Sequence, residues 1–209
     1  IIENKISVQI KDLINYSIIL YEEQNTKFTN QSITKEVLVF LRERFKNLLK
    51  DKKIRNDIIE AVDSSDTNSN FLMLYKKCVI VNQNISKDVC KDIIISYKRA
   101  SNIIDRELKN KEESIMGQPE SHLFSKDEEK KLFDKINEIR QYFSSTKKHE
   151  SYDETLKILA AAKPATDVFF ENVIVNDENS DIKKNRLELL KMFCKTYNNF
   201  IDFSKVEGA

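Results

Sequence analysis

The sequence predicts an all-α protein, and three observations lead to that expectation. Its 209 residues include only 2 Gly and 2 Pro, on which tight β-hairpins and phosphate-binding loops depend. Hydrophobic residues make up 40% and charged residues 33%, which suits a globular core and not a membrane protein. Apolar residues recur at helical spacing along most of the chain. Rossmann, Walker A and nucleophile-elbow motifs are excluded, because each needs closely spaced glycines.

Helices joined by short loops are expected, which is typical of an antiparallel helical bundle. In each stretch the apolar side chains fall on one helical face. The predicted helical stretches, in chain order, are 5–21, Thr34 to about Lys50, 54–63, 70–82, 87–109, 126–145, 152–162 and 181–203.

Local signals predict where several of these helices begin. Ser125 and Ser151 each open a Ser-x-x-Glu capping box. Pro164 either ends the preceding helix or begins the next one at its first position. Asp167 is expected to cap the helix that carries the apolar run at 168–175.

The polar run at 63–70 contains no apolar residue and predicts a loop that divides the chain. We therefore expect a helical body segment over 1–66, belonging to the end of an upstream domain, and a second helical domain over 67–209. The chain opens on Ile1 and not on Met, so a piece of a longer protein is expected.

The charge distribution is more informative than the formal net charge of +1. Residues 35–56 hold 8 basic and 3 acidic side chains, and residues 76–111 hold 9 and 4. The segment between them, 57–75, is acidic. Two basic segments of this kind favour contact with a polyanion, but solvated helix faces explain them equally well.

The residues that usually support catalysis or metal binding are few. Cys78, Cys90 and Cys194 form no CxxC pair, and each is expected to be a small core residue. His122 and His149 lack metal-ligand spacing, and His149 precedes Glu where a phosphohydrolase His-Asp dyad needs Asp. No catalytic residue and no metal site is expected. Unpaired cysteines without a secretory leader or an apolar span of about 18–20 residues predict a cytoplasmic protein.

One polar cluster lies on the predicted helix 87–109. Arg99, Asn102 and Arg106 are spaced i, i+3 and i+7, so they share a face, and Lys98 is adjacent in sequence. Guanidinium groups beside an amide can hold phosphates or base edges. The alternative is a helix-packing device in which Asn102 satisfies a backbone group.

A second polar cluster flanks the break before the last helix. Asn176 ends an apolar stretch, and Asn185 and Arg186 fall in the first turns of the helix that follows. Such groups can meet the exposed edges of unpaired RNA bases. A buried polar corner is equally compatible with the pattern.

Several motifs near the end of the chain resemble the C-terminal region of the β subunit family of bacterial-type glycyl-tRNA synthetases. The family pattern P-V-D-A-F-F-D-x-V-M-V-M/N corresponds to ATDVFFENVIVN at 165–176, followed by NRLELL at 185–190 and IDFSKV at 201–206. Upstream, FLRERF at 40–45 and KRASNI at 98–103 resemble two helices of that family.

The resemblance implies a division of labour between two polypeptides. The chain would supply an all-helical anticodon-binding domain, similar to that of arginyl-tRNA synthetase, and part of the helical body before it. An α subunit would hold the aminoacylation site with ATP, glycine and Mg²⁺, so no cofactor is expected in this chain. The implied partners are tRNA(Gly) and the α subunit in an α2β2 tetramer, with no membrane and no DNA.

Basic helix faces would then hold tRNA phosphates, and the second cluster would meet anticodon bases. The RNA-binding residues expected on this basis are Arg42, Arg44, Lys46, Lys98, Arg99, Asn102, Arg106, Asn176, Asn185 and Arg186. Two other interpretations stay open: a non-catalytic protein–protein interaction module, favoured by the near-neutral charge, and a hydrolase domain whose motif lies outside the chain.

Overall fold

The computed structural model describes residues 1–26, 28, 32–65, 69–109, 117–145 and 151–208. Within these residues every regular element is a helix and no strand is present, which confirms the predicted all-α fold class. The described part of the chain forms two compact units, Ile1–Gln83 and Asn84–Ala209. None of its helices has the length and apolar composition needed to cross a bilayer.

The first unit contains α1 (Ile10–Glu23), α2 (Ile33–Asp51), α3 (Asn56–Ser65) and α4 (Phe71–Asn84). Its core includes the stacked rings of Phe45 and Phe71, whose centroids are 4.7 Å apart. Leu49, Ile58 and Leu74 are each at most 2% exposed. These residues come from all of α2, α3 and α4, so the apolar faces that the sequence predicts do form one core.

The second unit contains α5 (Asp88–Lys109), α6 (Asp127–Ser144), α7 (Tyr152–Ala160), α8 (Lys163–Asn172) and α9 (Ser180–Tyr197). Helix α5 packs against α7, α8 and α9, and α6 packs against α8 and α9. Phe169, Phe193 and Tyr197 are almost fully buried, and each contributes about 1.5–3 kcal/mol by leaving water. The buried Tyr197 hydroxyl donates to the Leu159 carbonyl at 2.7 Å.

The two compact units divide between Gln83 and Asn84, whereas the sequence places a domain boundary at 66/67. Helix α4 belongs to the first unit because Phe71 at its start stacks on Phe45 of α2. Part of the run at 63–70, residues 66–68, lies outside the described residues, as do 110–116 of the expected loop and His149. The functional boundary therefore stays a prediction.

The last helix ends earlier than expected, at Tyr197 and not at 203. Residues after it turn back, and a 3₁₀ turn, Phe203–Lys205, follows. The side chain of Asp202 caps that turn by accepting from the Ser204 amide at 3.2 Å. Phe203 is buried with its ring 5.7 Å from that of Tyr97, so its apolar character reflects burial in a turn and not in a helix.

Two expected helix starts are also wrong in register. Helix α8 begins at Lys163 with Pro164 in its first turn, so Asp167 lies inside the helix, where it pairs with Lys163 and caps nothing. The capping box of α6 uses Glu129, one residue later than expected. Ser151 does cap α7, accepting from the Asp153 amide. The three cysteines are buried, as expected.

Candidate nucleic-acid interface

Two cations of α2, Arg42 and Lys46, are neutralised by carboxylates of α3 inside the first unit. Arg42 and Lys46 each lie 2.9 Å from the carboxylate of Asp63, and Lys46 also lies 3.1 Å from Glu60. Burial alone would lower the pKa of Lys46, but the hydrogen bonds and charges of the two carboxylates outweigh it and raise that pKa. Arg44 is exposed, with its guanidinium 5.3 Å from the Phe40 ring.

Helix α5 presents the first polar cluster to solvent. Arg99, Asn102 and Arg106 are all exposed, and Lys98 is half-buried. The Arg99 guanidinium lies 4.4 Å from the Phe170 ring centroid and donates to the Phe170 carbonyl at 3.2 Å. The side chain of Asn102 has no hydrogen-bond partner among the described residues, so the helix-packing role considered for it is not supported. The face combines two guanidinium groups, which can donate to the phosphates of a polyanion, with one amide.

The second cluster is divided between surface and interior. Arg186 is 2% exposed, and all three of its nitrogens donate within the protein. Its Nε lies 2.7 Å from Oε1 of the fully buried Glu129. Its Nη1 donates to the Ile174 carbonyl and to Asp177, and its Nη2 donates to the Ser125 hydroxyl. This guanidinium joins the start of α6, the segment before α9, and α9 itself.

Asn185 is also buried, and its amide forms two bonds with the backbone of Glu120, at 2.7 and 3.1 Å. It therefore holds the segment before α6 against α9. Asn176 alone of this cluster is exposed. The geometry favours the buried polar corner that the sequence left open. Contact of Asn185 and Arg186 with RNA bases remains a prediction to which these hydrogen bonds lend no support.

A polar groove that the sequence analysis missed lies in the second unit, between the last turns of α6, residues 117–119 and α9. Its volume is about 630 Å³, within the range of roughly 300–1,000 Å³ common for ligand sites. Among the described residues its lining combines cations, an aromatic ring and one carboxylate: Arg140, Lys191, Lys195, Phe143 and Glu188. We call it the α6–α9 groove. The signal in the sequence was the spacing of positions 188, 191 and 195, which places them on one face of α9.

Glu188 is buried in the groove without a partner among the described residues of the protein. It is 6% exposed, and it has no hydrogen bond or ion pair with any described residue. Burial raises the pKa of its carboxyl group above the usual range. Gly117 lies directly against it, since a Cβ on that glycine would fall within 2.9 Å of the Glu188 Cδ.

Comparison with known proteins identifies the second unit. Residues 93–207, more than half of the chain, match the DALR anticodon binding domain family. The chain belongs to the DALR anticodon-binding domain family. Its relatives include glycine–tRNA ligase β subunits from Clostridioides difficile, 29% identical over 207 residues, and from Rickettsia africae and Rickettsia conorii, each 31% identical over 206 residues.

Each of these alignments covers 99% of this chain but only 28–29% of the relative. The chain thus spans less than a third of the length of the curated relatives that it matches. Because the similarity runs over nearly the whole chain, the expected resemblance to the glycyl-tRNA synthetase β subunit is confirmed.

The DALR domain contains most of the candidate residues. The exposed face of α5, the polar corner around Arg186 and the α6–α9 groove all fall within residues 93–207. The cations of α2 lie outside the match, in the first unit. Among the described residues no three His, Cys, Asp or Glu side chains converge as metal ligands would. The DALR domain therefore contains the exposed cationic face of α5 and the α6–α9 groove.

Proposed function

We propose that this chain binds tRNA(Gly) through its DALR domain, as part of a glycine–tRNA ligase β subunit. The observation that carries the proposal is the family match over residues 93–207. The names of the relatives support glycine as the amino acid. In this proposal the chain contributes recognition. ATP, glycine and Mg²⁺ are handled by an α subunit in an α2β2 tetramer, in the cytoplasm and without DNA or a membrane as partner.

The exposed face of α5 supplies the contacts to the tRNA backbone. Arg99 and Arg106 donate to phosphate oxygens, an interaction that is blind to sequence and sensitive to salt. Ring packing and a backbone bond hold Arg99 in place, so less side-chain entropy is lost when RNA binds. The amide of Asn102, which lies between the two guanidinium groups on this face, meets a base edge or a ribose hydroxyl.

A titration of the full chain with tRNA(Gly) and with an unrelated tRNA, at two salt concentrations, tests the proposal. We expect tighter binding of tRNA(Gly) and a steep loss of affinity with salt. Arg106→Gln should weaken binding about threefold to tenfold at low salt and reduce the salt slope by about 1. Lys157→Gln removes the same charge from an exposed site on α7 and is the matched control.

Failure to bind any tRNA at low salt would refute the proposal. Equal effects of Arg106→Gln and Lys157→Gln would refute the assignment of α5 as the contact surface.

The second candidate function, protein–protein interaction, is supported by apolar side chains on the first unit. Leu13, Tyr16 and Leu20 are exposed on one face of α1, and Val37 and Phe40 are exposed on α2. Extended exposed apolar faces often contact another protein surface. If this were the only function, the chain would retain no tRNA in the same titration at low salt.

A further inference from the structure

The α6–α9 groove contains a buried carboxylate for which the described protein supplies no donor. Native proteins satisfy nearly all of their buried polar groups, and a carboxylate left unpaired costs more than a neutral group. Only 6% of the surface of Glu188 is exposed, and this residue lines the groove. A bound molecule that donates hydrogen bonds would remove that cost.

The lining of the groove specifies the rest of such a molecule. Arg140 and Lys195 bring positive charge to the same space, so the ligand carries an anionic group as well as a donor. Phe143 adds an aromatic side chain, on which planar rings stack favourably. The described lining, with one carboxylate among several cations, is a poor cation site. A nucleotide, by contrast, unites a phosphate, a planar ring and, in three of the four bases, an exocyclic amino group.

We propose that the α6–α9 groove holds one unpaired nucleotide of the bound tRNA, with the exocyclic amino group of its base donating to Glu188. The proposal rests on the proposed function and assigns it a site for reading a base. Carboxylates accept hydrogen bonds from amino groups in known base readout, as with cytosine N4. Uracil has a carbonyl at that position and would place two acceptors against each other. Arg140 and Lys195 hold the phosphate.

Removal of one amino group at a time from the RNA tests the contact directly. At each unpaired position of the tRNA, the amino group is removed by replacing cytidine with 2-pyrimidinone riboside, adenosine with purine riboside or guanosine with inosine. These three replacements also distinguish which base donates. At one position we expect the loss to weaken binding to the wild-type chain about 5- to 100-fold, as for other base contacts. At that same position, Glu188→Met should reduce the effect to less than about threefold, because methionine offers no oxygen acceptor.

Two further variants make the result interpretable. Glu188→Gln is nearly isosteric and keeps a neutral oxygen, so its discrimination should fall between those of the wild type and Glu188→Met. It also serves as the test if the methionine variant does not fold. Lys195→Gln is the matched control from the same groove. It should weaken binding of all the tRNAs to a similar degree and leave the effect of the amino group unchanged.

The proposal is overturned if no amino-group removal matters, or if its effect persists unchanged in both Glu188 variants. In that case tRNA(Gly) still binds, and α5 remains the contact surface. Loss of binding to every tRNA by the wild-type chain would instead refute the proposed function, and this inference with it.

Discussion

Two buried carboxylates of the second unit are treated in opposite ways. Near the start of α6, Glu129 is fully buried and receives bonds from the Arg186 guanidinium and from the backbone amides of Ser125 and Lys126. In the α6–α9 groove, Glu188 is also buried but receives no bond from a described residue. Glu188 and Arg186 are two residues apart on α9, so the contrast arises within one helical turn.

The difference distinguishes a charge that stabilises the fold, on Glu129, from a charge that is available to bind a ligand, on Glu188. A buried ion pair with complete hydrogen bonding recovers much of the cost of leaving water, and it fixes the geometry of the elements that it joins. For Glu188 the charges of Lys184 and Lys191 offset part of that cost, but burial outweighs them, and no hydrogen bond from a described residue recovers the rest. Burial alone is therefore a poor guide to the function of a carboxylate. Its hydrogen-bond and ion-pair partners are a better guide.

The largest expected effect comes from breaking the ion pair between Arg186 and Glu129. Arg186→Ala leaves Glu129 buried without its guanidinium, and it also removes donors to Ile174 and Ser125. We expect a loss of about 3–5 kcal/mol in the free energy of unfolding, measured by urea denaturation. Arg186→Ala combined with Glu129→Ala should lose less than the sum of the two single variants, because neither charge is then left alone.

A loss below about 1 kcal/mol for Arg186→Ala would show that this corner adds little stability. The contrast between the two carboxylates would then have no energetic basis.

The sequence predicts the helices well because their apolar spacing is a local property. It also identifies Asn185 and Arg186 as polar residues at the start of an apolar helix, but it cannot say whether they face RNA or the protein. That distinction depends on Glu129 and Glu120, which are more than fifty residues earlier in the chain. Contacts at such separation leave no periodic signal in a single sequence.

The cations of α2 show the same limit on a shorter scale. The basic character of 35–56 is correct as composition, yet the acidic segment directly after it contains Glu60 and Asp63, which neutralise Arg42 and Lys46. A run of one charge beside a run of the other is a hint of pairing between adjacent helices. On α5 no comparable acidic run follows, and the guanidinium groups of Arg99 and Arg106 are exposed.

A smaller effect is expected where the groove meets the segment before α6. Gly117 has φ of 157°, and an added Cβ would press on the Glu188 carboxylate. Gly117→Ala should lower the free energy of unfolding by about 1–3 kcal/mol, the usual range for overpacking, as measured by urea denaturation. In the Glu188→Ala background, where the carboxylate is absent, the cost should shrink.

An equal cost of Gly117→Ala in both backgrounds would mean that backbone conformation, and not contact with Glu188, makes glycine necessary there. The carboxylate would then be less tightly enclosed than its burial indicates.

The smallest expected effect is a gain in stability and comes from removing the charge of Glu188. Burial raises the pKa of Glu188 above its ordinary value of about 4.5, so the folded chain binds this proton more tightly than the unfolded chain does. The contribution of that proton to stability is fully present below the ordinary value, and it is lost as pH rises through the raised one. Glutamine does not titrate. Glu188→Gln should therefore be more stable than the wild type by about 0.5–1 kcal/mol at pH 7, with the advantage shrinking toward pH 4.

Unfolding midpoints of both proteins at the two pH values measure this difference. Lys195→Gln, which changes the charge of the same groove without removing a buried carboxylate, is the control. A Glu188→Gln variant less stable than the wild type at pH 7 would mean that the ionised carboxylate already has a stabilising partner, and the contrast with Glu129 would fail.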